Sequence, residues 1–372
     1  MMQLLYNINI EKLEKINKQY HYNLKLAPRH LHVKNILDFD VIVAPPTGPE
    51  CINTAGFEYA FMNEYKQYKS NNIKPSHTTF ICGSYGAYRT SALLSSILSN
   101  KDNIAPFYDH IIDMTYTNES TPESLEQKLI SLRNKIVSNV DIEKILTADD
   151  FKIAIFVVKL KPIYQYLHQY IQYVIMFFLG LTSIYFPNIL QSSLFDRLCF
   201  HSKTPPTDVF PEDYIDEYHL LTPNNYKQVL KASSCIPGIT TDIDYIEGCG
   251  NGIFMDGAIS DIHIGFKVNT SSTALILNRN KYLSTNIFHK MIKHSIPNEF
   301  FNNLSLIYPS KYCKQTTPDN RLPTLTDWFD EEYVKHPYKR KHNWNTTKDL
   351  SIKYLHHDIR QQFGKINSVF DD

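Results

Sequence analysis

A serine set between small residues at the end of an apolar run is where this chain first offers chemistry. In Phe80-Ile81-Cys82-Gly83-Ser84-Tyr85-Gly86-Ala87-Tyr88-Arg89 a β-type run breaks at Ser84 and continues with helical character. A serine hydroxyl is a weak nucleophile, so it reacts only when a sharp turn lifts it clear of the sheet and aims it at an electrophile. The spacing is that of G-x-S-x-G, with Cys82 standing where the first glycine is usual. Gly86 is expected to let the following helix begin close to the strand. The N–H groups of that helix N-terminus, Tyr85 first, would face a developing oxyanion. A serine in an ordinary strand-to-helix turn is the competing reading.

A second constellation lies far along the chain, in Gly252-Ile253-Phe254-Met255-Asp256-Gly257-Ala258, preceded by Ala232-Ser233-Ser234-Cys235-Ile236-Pro237-Gly238. By itself Asp256 before glycine reads as a turn-capping carboxylate. Paired with Ser84 it becomes a candidate general base. A histidine triad is the rival arrangement, and its order would require a histidine after Asp256, where His263, His289 and His294 are available. Asp261 and His263 otherwise read as turn and wall residues.

Taken together, these motifs resemble those of the patatin-like lipid acyl hydrolases, whose serine in G-x-S-x-G works with an aspartate in D-G-G or D-G-A and without histidine. Ser84-Tyr85-Gly86-Ala87-Tyr88-Arg89 is similar to the S-x-G-A-W-R variant of one bacterial branch. Ala232 to Gly238 resembles the family's A-S-x-x-I-P segment, with Leu221-Thr222-Pro223-Asn224-Asn225 as its lead-in, and Leu325 to Asp330 is similar to that branch's ending. The resemblance runs from about Asp38 to about Trp344. It implies a three-layer α/β/α fold with a central, mainly parallel sheet and helical elaborations. It also implies a phospholipase A-like ester hydrolase in which Asp256 takes the proton of Ser84, an acyl-enzyme forms, and water releases a fatty acid. Such a base needs its pKa raised towards neutrality by desolvation. The implied substrate is a phospholipid or another lipid ester, with no cofactor and no metal. Arg89 is assigned either to a structural ion pair or to an anionic head group.

One loop departs from the family pattern. Where a G-G-G-x-R-G oxyanion loop belongs, read back from Thr54-Ala55-Gly56, this chain has Pro46, Thr47, Gly48, Pro49, Glu50 and Cys51. Proline donates no N–H, and a carboxylate would repel an oxyanion. Losing one such donor costs about 3 to 4 kcal/mol of transition-state stabilisation. Gly48 and Tyr85 are the donors expected to remain. A catalytically weak or inactive scaffold that binds lipid or a protein partner is therefore the alternative function.

These residues need a sheet to position them. Core strands are expected at Val41 to Ala44, Thr79 to Cys82, Phe151 to Val158, Ile253 to Met255 and Ala274 to Leu277. Helices are expected at Ala55 to Tyr68, Ala87 to Ser99 and Leu125 to Val140. Lys203 to Asp208 and Gly248 to Gly252 read as loops. The domain reading is an N-terminal helical extension over 1–37, an α/β hydrolase domain over 38–310, and a polar C-terminal extension over 311–372 that packs on the core. Within the hydrolase domain, 162–195 lacks Asp, Glu, Lys and Arg. Its stretch Ile171 to Phe186 has three readings: a buried helix pair packed on the sheet, a partly exposed apolar lid or lipid-contacting surface, and a membrane span, for which it is short. The same stretch is expected to line part of a long apolar acyl channel.

Composition bounds the rest. The 372 residues are 43% hydrophobic, enough for a large core, and Lys plus Arg balance Asp plus Glu at 38 each, so no net charge steers nucleic acid. The basic run Lys339 to His342 reads as a solvated face. Six scattered cysteines carry no C-x-x-C pair and read as reduced thiols. The N-terminus lacks a signal-peptide pattern, so a cytoplasmic protein with reversible peripheral membrane contact is expected, although a signal-less secretion route would leave no trace.

Overall fold

The computed structural model describes residues 22–364 apart from 28–29, 72–76, 115–119, 184, 187–188, 211–212, 263–271, 280–282 and 284–303. Its strands are β1 (Tyr22–Lys25), β2 (Val41–Ala44), β3 (Thr78–Cys82), β4 (Phe151–Leu160), β5 (Phe195–His201), β6 (Glu217–Leu220), β7 (Ile243–Ile246), β8 (Gly250–Asp256), β9 (Ala274–Leu277) and β10 (Ser305–Pro309). They join in one ten-stranded sheet of order β1-β10-β9-β2-β3-β4-β5-β6, with β8 on β4 and β7 on β8. From β10 to β4 every neighbour is parallel.

Parallel strands are covered on both faces, which is why β2, β3 and β9 are continuous apolar or small-residue runs. Ile42, Ala44, Phe80, Cys82, Ile153 and Ile155 point to one face. Val41, Val43, Ile81, Ala154 and Phe156 point to the other. The main helices are α1 (Gly56–Ser70), α2 (Tyr85–Ser99), α3 (Ile104–Asp113), α4 (Pro122–Ile136), α5 (Asn139–Thr147), α6 (Gln169–Thr182), α7 (Tyr226–Ser233) and α8 (Pro337–Gly364). Helices α1 to α5 and α7 supply side chains to the first face, while Met176 of α6 meets Val158, Leu160 and Met255 on the second. The fold is a three-layer α/β/α arrangement.

The expected helix Leu125 to Val140 is two helices. Thr121 caps α4 with Pro122 in its first turn, and Ser138 opens a new capping box with Asp141, so the chain restarts at α5. Of the expected N-terminal helical extension, residues 1–21 lie outside the described residues. The part that follows is a strand: β1 pairs antiparallel with β10, and Asp358 of α8 accepts from the Tyr22 N–H at 2.6 Å.

The C-terminal segment lies against the first face, with Trp344, Leu355 and Ile359 buried. Its fit to α1 depends on Gly56, whose N–H donates to Ser351 Oγ at 3.0 Å. A Cβ on Gly56 would sit 2.1 Å from the Ser351 carbonyl oxygen, a backbone atom that can move only with its helix. Gly56→Ala is expected to destabilise the protein by about 1 to 3 kcal/mol, as overpacking does, seen as a lower urea midpoint. An unchanged midpoint would mean that α8 shifts without cost.

The uncharged segment is not a buried helix pair. Phe178, Tyr185 and Phe186 are 64%, 79% and 63% exposed, and Tyr170, Ile171 and Phe177 also face outward, while Gln172, Met176 and Gly180 face the sheet. Among the described residues, no helix is long and apolar enough to cross a membrane.

Candidate active site

Ser84 is the second of the two residues between the end of β3 and the start of α2. Its φ of 50° and ψ of −134° lie where side chains are rarely tolerated, a conformation that costs about 1 to 3 kcal/mol and persists only when its surroundings impose it. Gly86 is the main imposer. A Cβ there would fall 2.0 Å from the Ala44 carbonyl oxygen, so glycine lets α2 begin against the end of β2. Gly83 passes Phe156 and Pro46 at ordinary contact distance. Cys82, at the usual glycine position, is the buried last residue of β3 and bonds through Sγ to the Ala154 carbonyl at 3.5 Å. Its side chain occupies the core face, so the turn itself is unaffected.

Asp256 reaches Ser84 because β4 is long. The N-terminal half of β4 pairs with β3 as far as Cys82 opposite Ile155, and its C-terminal half pairs with β8, with Asp256 opposite Val157. β3 runs parallel to β4 and β8 antiparallel to it, so their C-terminal ends meet on one edge of β4 across Phe156. Two segments more than 170 residues apart in sequence thereby deliver their side chains to one point. The Asp256 N–H donates to the Cys235 carbonyl at 2.9 Å, which assigns a holding role to the Ala232 to Gly238 segment.

The Asp256 carboxyl is fully buried, and that desolvation pushes its pKa up to about 7, against the hydrogen bond from the Ser84 hydroxyl and the Ala258 N–H at 2.8 Å, which both favour the carboxylate. A carboxyl balanced near neutrality beside a serine hydroxyl has the properties of a general base. Gly48, with φ of +58°, starts the 3-10 helix Gly48–Thr54, as Tyr85 starts α2. First-turn amides have no intrahelical acceptor, and neither Thr47 nor Ser84 caps its helix through its side chain. Gly48, Tyr85, Ser84 and Asp256 line one pocket with Pro46, Thr47, Ile236, Ala258, Ile262 and Trp328, enclosing about 380 Å³ including its mouth.

A second pocket, enclosing about 410 Å³ including the open space at its mouth, adjoins the first through Tyr85, Ile236 and Trp328. Met114, Leu125, Leu129 and Ile239 complete its apolar walls beside Ser234 and Thr240. The Tyr85 and Trp328 rings are 5.7 Å apart at the junction. No described residue of Ile171 to Phe186 lines either pocket, so the expected channel wall is corrected: α6 packs on the second face around Met176 and turns Tyr170, Phe177 and Phe178 outward. Trp328 is the site residue that the sequence reading missed. Its signal was present as one of only two tryptophans, but nothing local says that residue 328 closes over residue 84.

Glu50 does not confront the oxyanion position. It is buried in an ion pair with Arg279 at 3.4 Å and is absent from the pocket wall. Arg89 is likewise structural: it is buried, ion-paired with Glu58, and donates to Thr54 Oγ1 at 3.0 Å and to the Thr54 carbonyl at 3.1 Å. That ties α2 to the helix carrying Gly48, and leaves no head-group role for Arg89. Asp261 accepts from Tyr214 at 2.6 Å and is absent from the wall of either pocket. His263, His289 and His294 lie outside the described residues. Among the described residues lining the Ser84 pocket there is no histidine.

No protein-family model, curated protein or solved structure matches this chain.

Proposed function

We propose that this protein is a serine ester hydrolase of patatin-like type acting on lipid esters, with Ser84 as nucleophile and Asp256 as base. The observation that carries this reading is the strained, buried serine bonded to a carboxyl whose pKa is about 7. Asp256 accepts the Ser84 proton as Oγ attacks the ester carbonyl, and the N–H groups of Gly48 and Tyr85 take the oxyanion. The alcohol leaves with a proton returned from Asp256. Water, deprotonated by the same carboxylate, then attacks the acyl-enzyme and frees the acid.

The apolar pocket behind Tyr85 and Trp328 is where the acyl chain fits, since each buried methylene contributes about 0.8 kcal/mol. The outward aromatic face of α6 supports reversible contact with a lipid surface by a cytoplasmic protein.

Leu129→Trp, which fills the inner pocket, tests the assignment with a series of aryl esters. Hydrolysis of octanoyl esters is expected to fall about tenfold or more, because two lost methylene contacts already exceed the 1.4 kcal/mol of one decade, while acetyl ester hydrolysis stays within about threefold. Equal losses on both esters would place the acyl chain elsewhere.

A further inference from the structure

Glu217, His219 and Cys249 form a cluster that the ester-hydrolysing reading does not use. Glu217 and His219 are two apart on β6, so their side chains share a face, opposite Leu198 and Phe200 of β5. Cys249 comes from the tight β7 to β8 turn, where Gly248 and Gly250 take φ of +84° and +88° and present the residue between them. One ligand atom from each residue lies within 4.8 Å of the other two, and His219 Nε2 is 2.8 Å from Glu217 Oε2.

The frame around them is fixed before any ligand arrives. Asn225, buried, donates through Nδ2 to the carbonyls of Leu220 and Glu247, both at 3.0 Å, and so ties the end of β6 to the hairpin that carries Cys249. Asn224 adds a bond to Glu247 at 3.0 Å. The imidazole is stacked on Phe200 with ring centroids 5.2 Å apart, which sets its plane.

We infer that Glu217, His219 and Cys249 bind a divalent transition-metal ion of zinc type, clamping the edge strand β6 to the β7–β8 hairpin. A thiolate, an imidazole and a carboxylate suit zinc or its cobalt substitute and disfavour magnesium and calcium, which take oxygen ligands. Bonds of roughly 2.0 to 2.3 Å place tetrahedral donors about 3.5 Å apart, so each donor needs to move by only about 1 Å. Thiolate and carboxylate together neutralise the ion's charge, and the exposed side of Glu217 leaves the fourth position to water. Ion binding displaces the thiol proton to solvent and forms the metal–sulfur bond, with no change of oxidation state.

Full-length protein freed of metal by chelator is titrated with Co²⁺, then with Zn²⁺ by calorimetry. One equivalent of Co²⁺ is expected to produce a thiolate-to-cobalt charge-transfer band that Zn²⁺ abolishes. Cys249→Ser should eliminate the band, and His219→Ala and Glu217→Gln should each weaken Zn²⁺ binding about tenfold or more. The other described cysteines are buried, so the band reports this site. Zn²⁺ should also raise the melting temperature of the parent protein and not that of Cys249→Ser. A parent protein without the band, or a band that survives Cys249→Ser, overturns the assignment. Neither result bears on Ser84, whose ester hydrolysis is expected to be unchanged in Cys249→Ser.

Discussion

Ser84→Ala is expected to abolish labelling by a fluorophosphonate and to lower kcat/KM on a lipid ester by about 10⁴-fold or more, the scale on which removing a nucleophile acts. Asp256→Asn leaves the hydroxyl in place without its base and should lose about 10³-fold. A third variant separates catalysis from folding. Ser84 holds a φ of 50°, which glycine adopts without strain, so Ser84→Gly should be as inactive as Ser84→Ala yet gain about 1 kcal/mol of stability. That opposite movement of stability and activity is what a site built on strain requires. Absence of labelling and of hydrolysis in the parent protein across a lipid panel would instead favour a non-catalytic lipid-binding scaffold, and labelling that persists in Ser84→Ala would move the nucleophile elsewhere.

The second large effect is pH dependence through Asp256. Only its carboxylate can accept the serine proton, so kcat/KM should rise with pH and level off above an apparent pKa of about 7, falling tenfold per unit below it. Stability should move the other way. The folded state holds the Asp256 proton up to about pH 7, whereas the unfolded chain releases it near the ordinary value of 3.8. Between those values the folded state binds more protons, so its stability falls as pH rises across the window and is flat above it. The full excursion is on the order of 4 kcal/mol for a shift of this size. Asparagine does not titrate, so Asp256→Asn should lack this slope, and its stability relative to the parent should grow from pH 4 to pH 7. Urea midpoints of the two proteins over that range measure it. A difference that stays constant with pH would show that burial does not hold the proton on Asp256.

The stability and the activity of this site thus depend on the same two residues. The strain at Ser84 and the desolvation of Asp256 both cost folding free energy, and both are sustained by neighbours that contribute no chemistry. Gly86 lets α2 close on β2, Cys235 holds the backbone of Asp256, and buried Arg89, through its bonds to Thr54, fixes the helix carrying Gly48 to α2.

The sequence by itself determined the elements whose information is local. The elbow around Ser84 and the strands β2, β3 and β9 were legible because a short apolar run ended by a turn-forming residue, Pro45, Gly83 or Asn278, has few alternatives. A raised pKa for Asp256 was a requirement of the dyad that the resemblance implies, and it is burial in the folded chain that raises it. The tertiary structure decided what depends on meetings between distant segments. The length of β4 brings Ser84 and Asp256 to the same edge, and this does not follow from the local pattern of either segment. Arg279 neutralises Glu50 from 229 residues away, so the carboxylate that made the oxyanion loop look defective faces a cation. Trp328 closes the pocket from the C-terminal segment. The uncharged stretch 162–195 was ambiguous for a physical reason: an apolar helix reads alike whether its side chains meet a core or solvent, and only the position of α6 against β4 and β8 shows that its aromatics face outward.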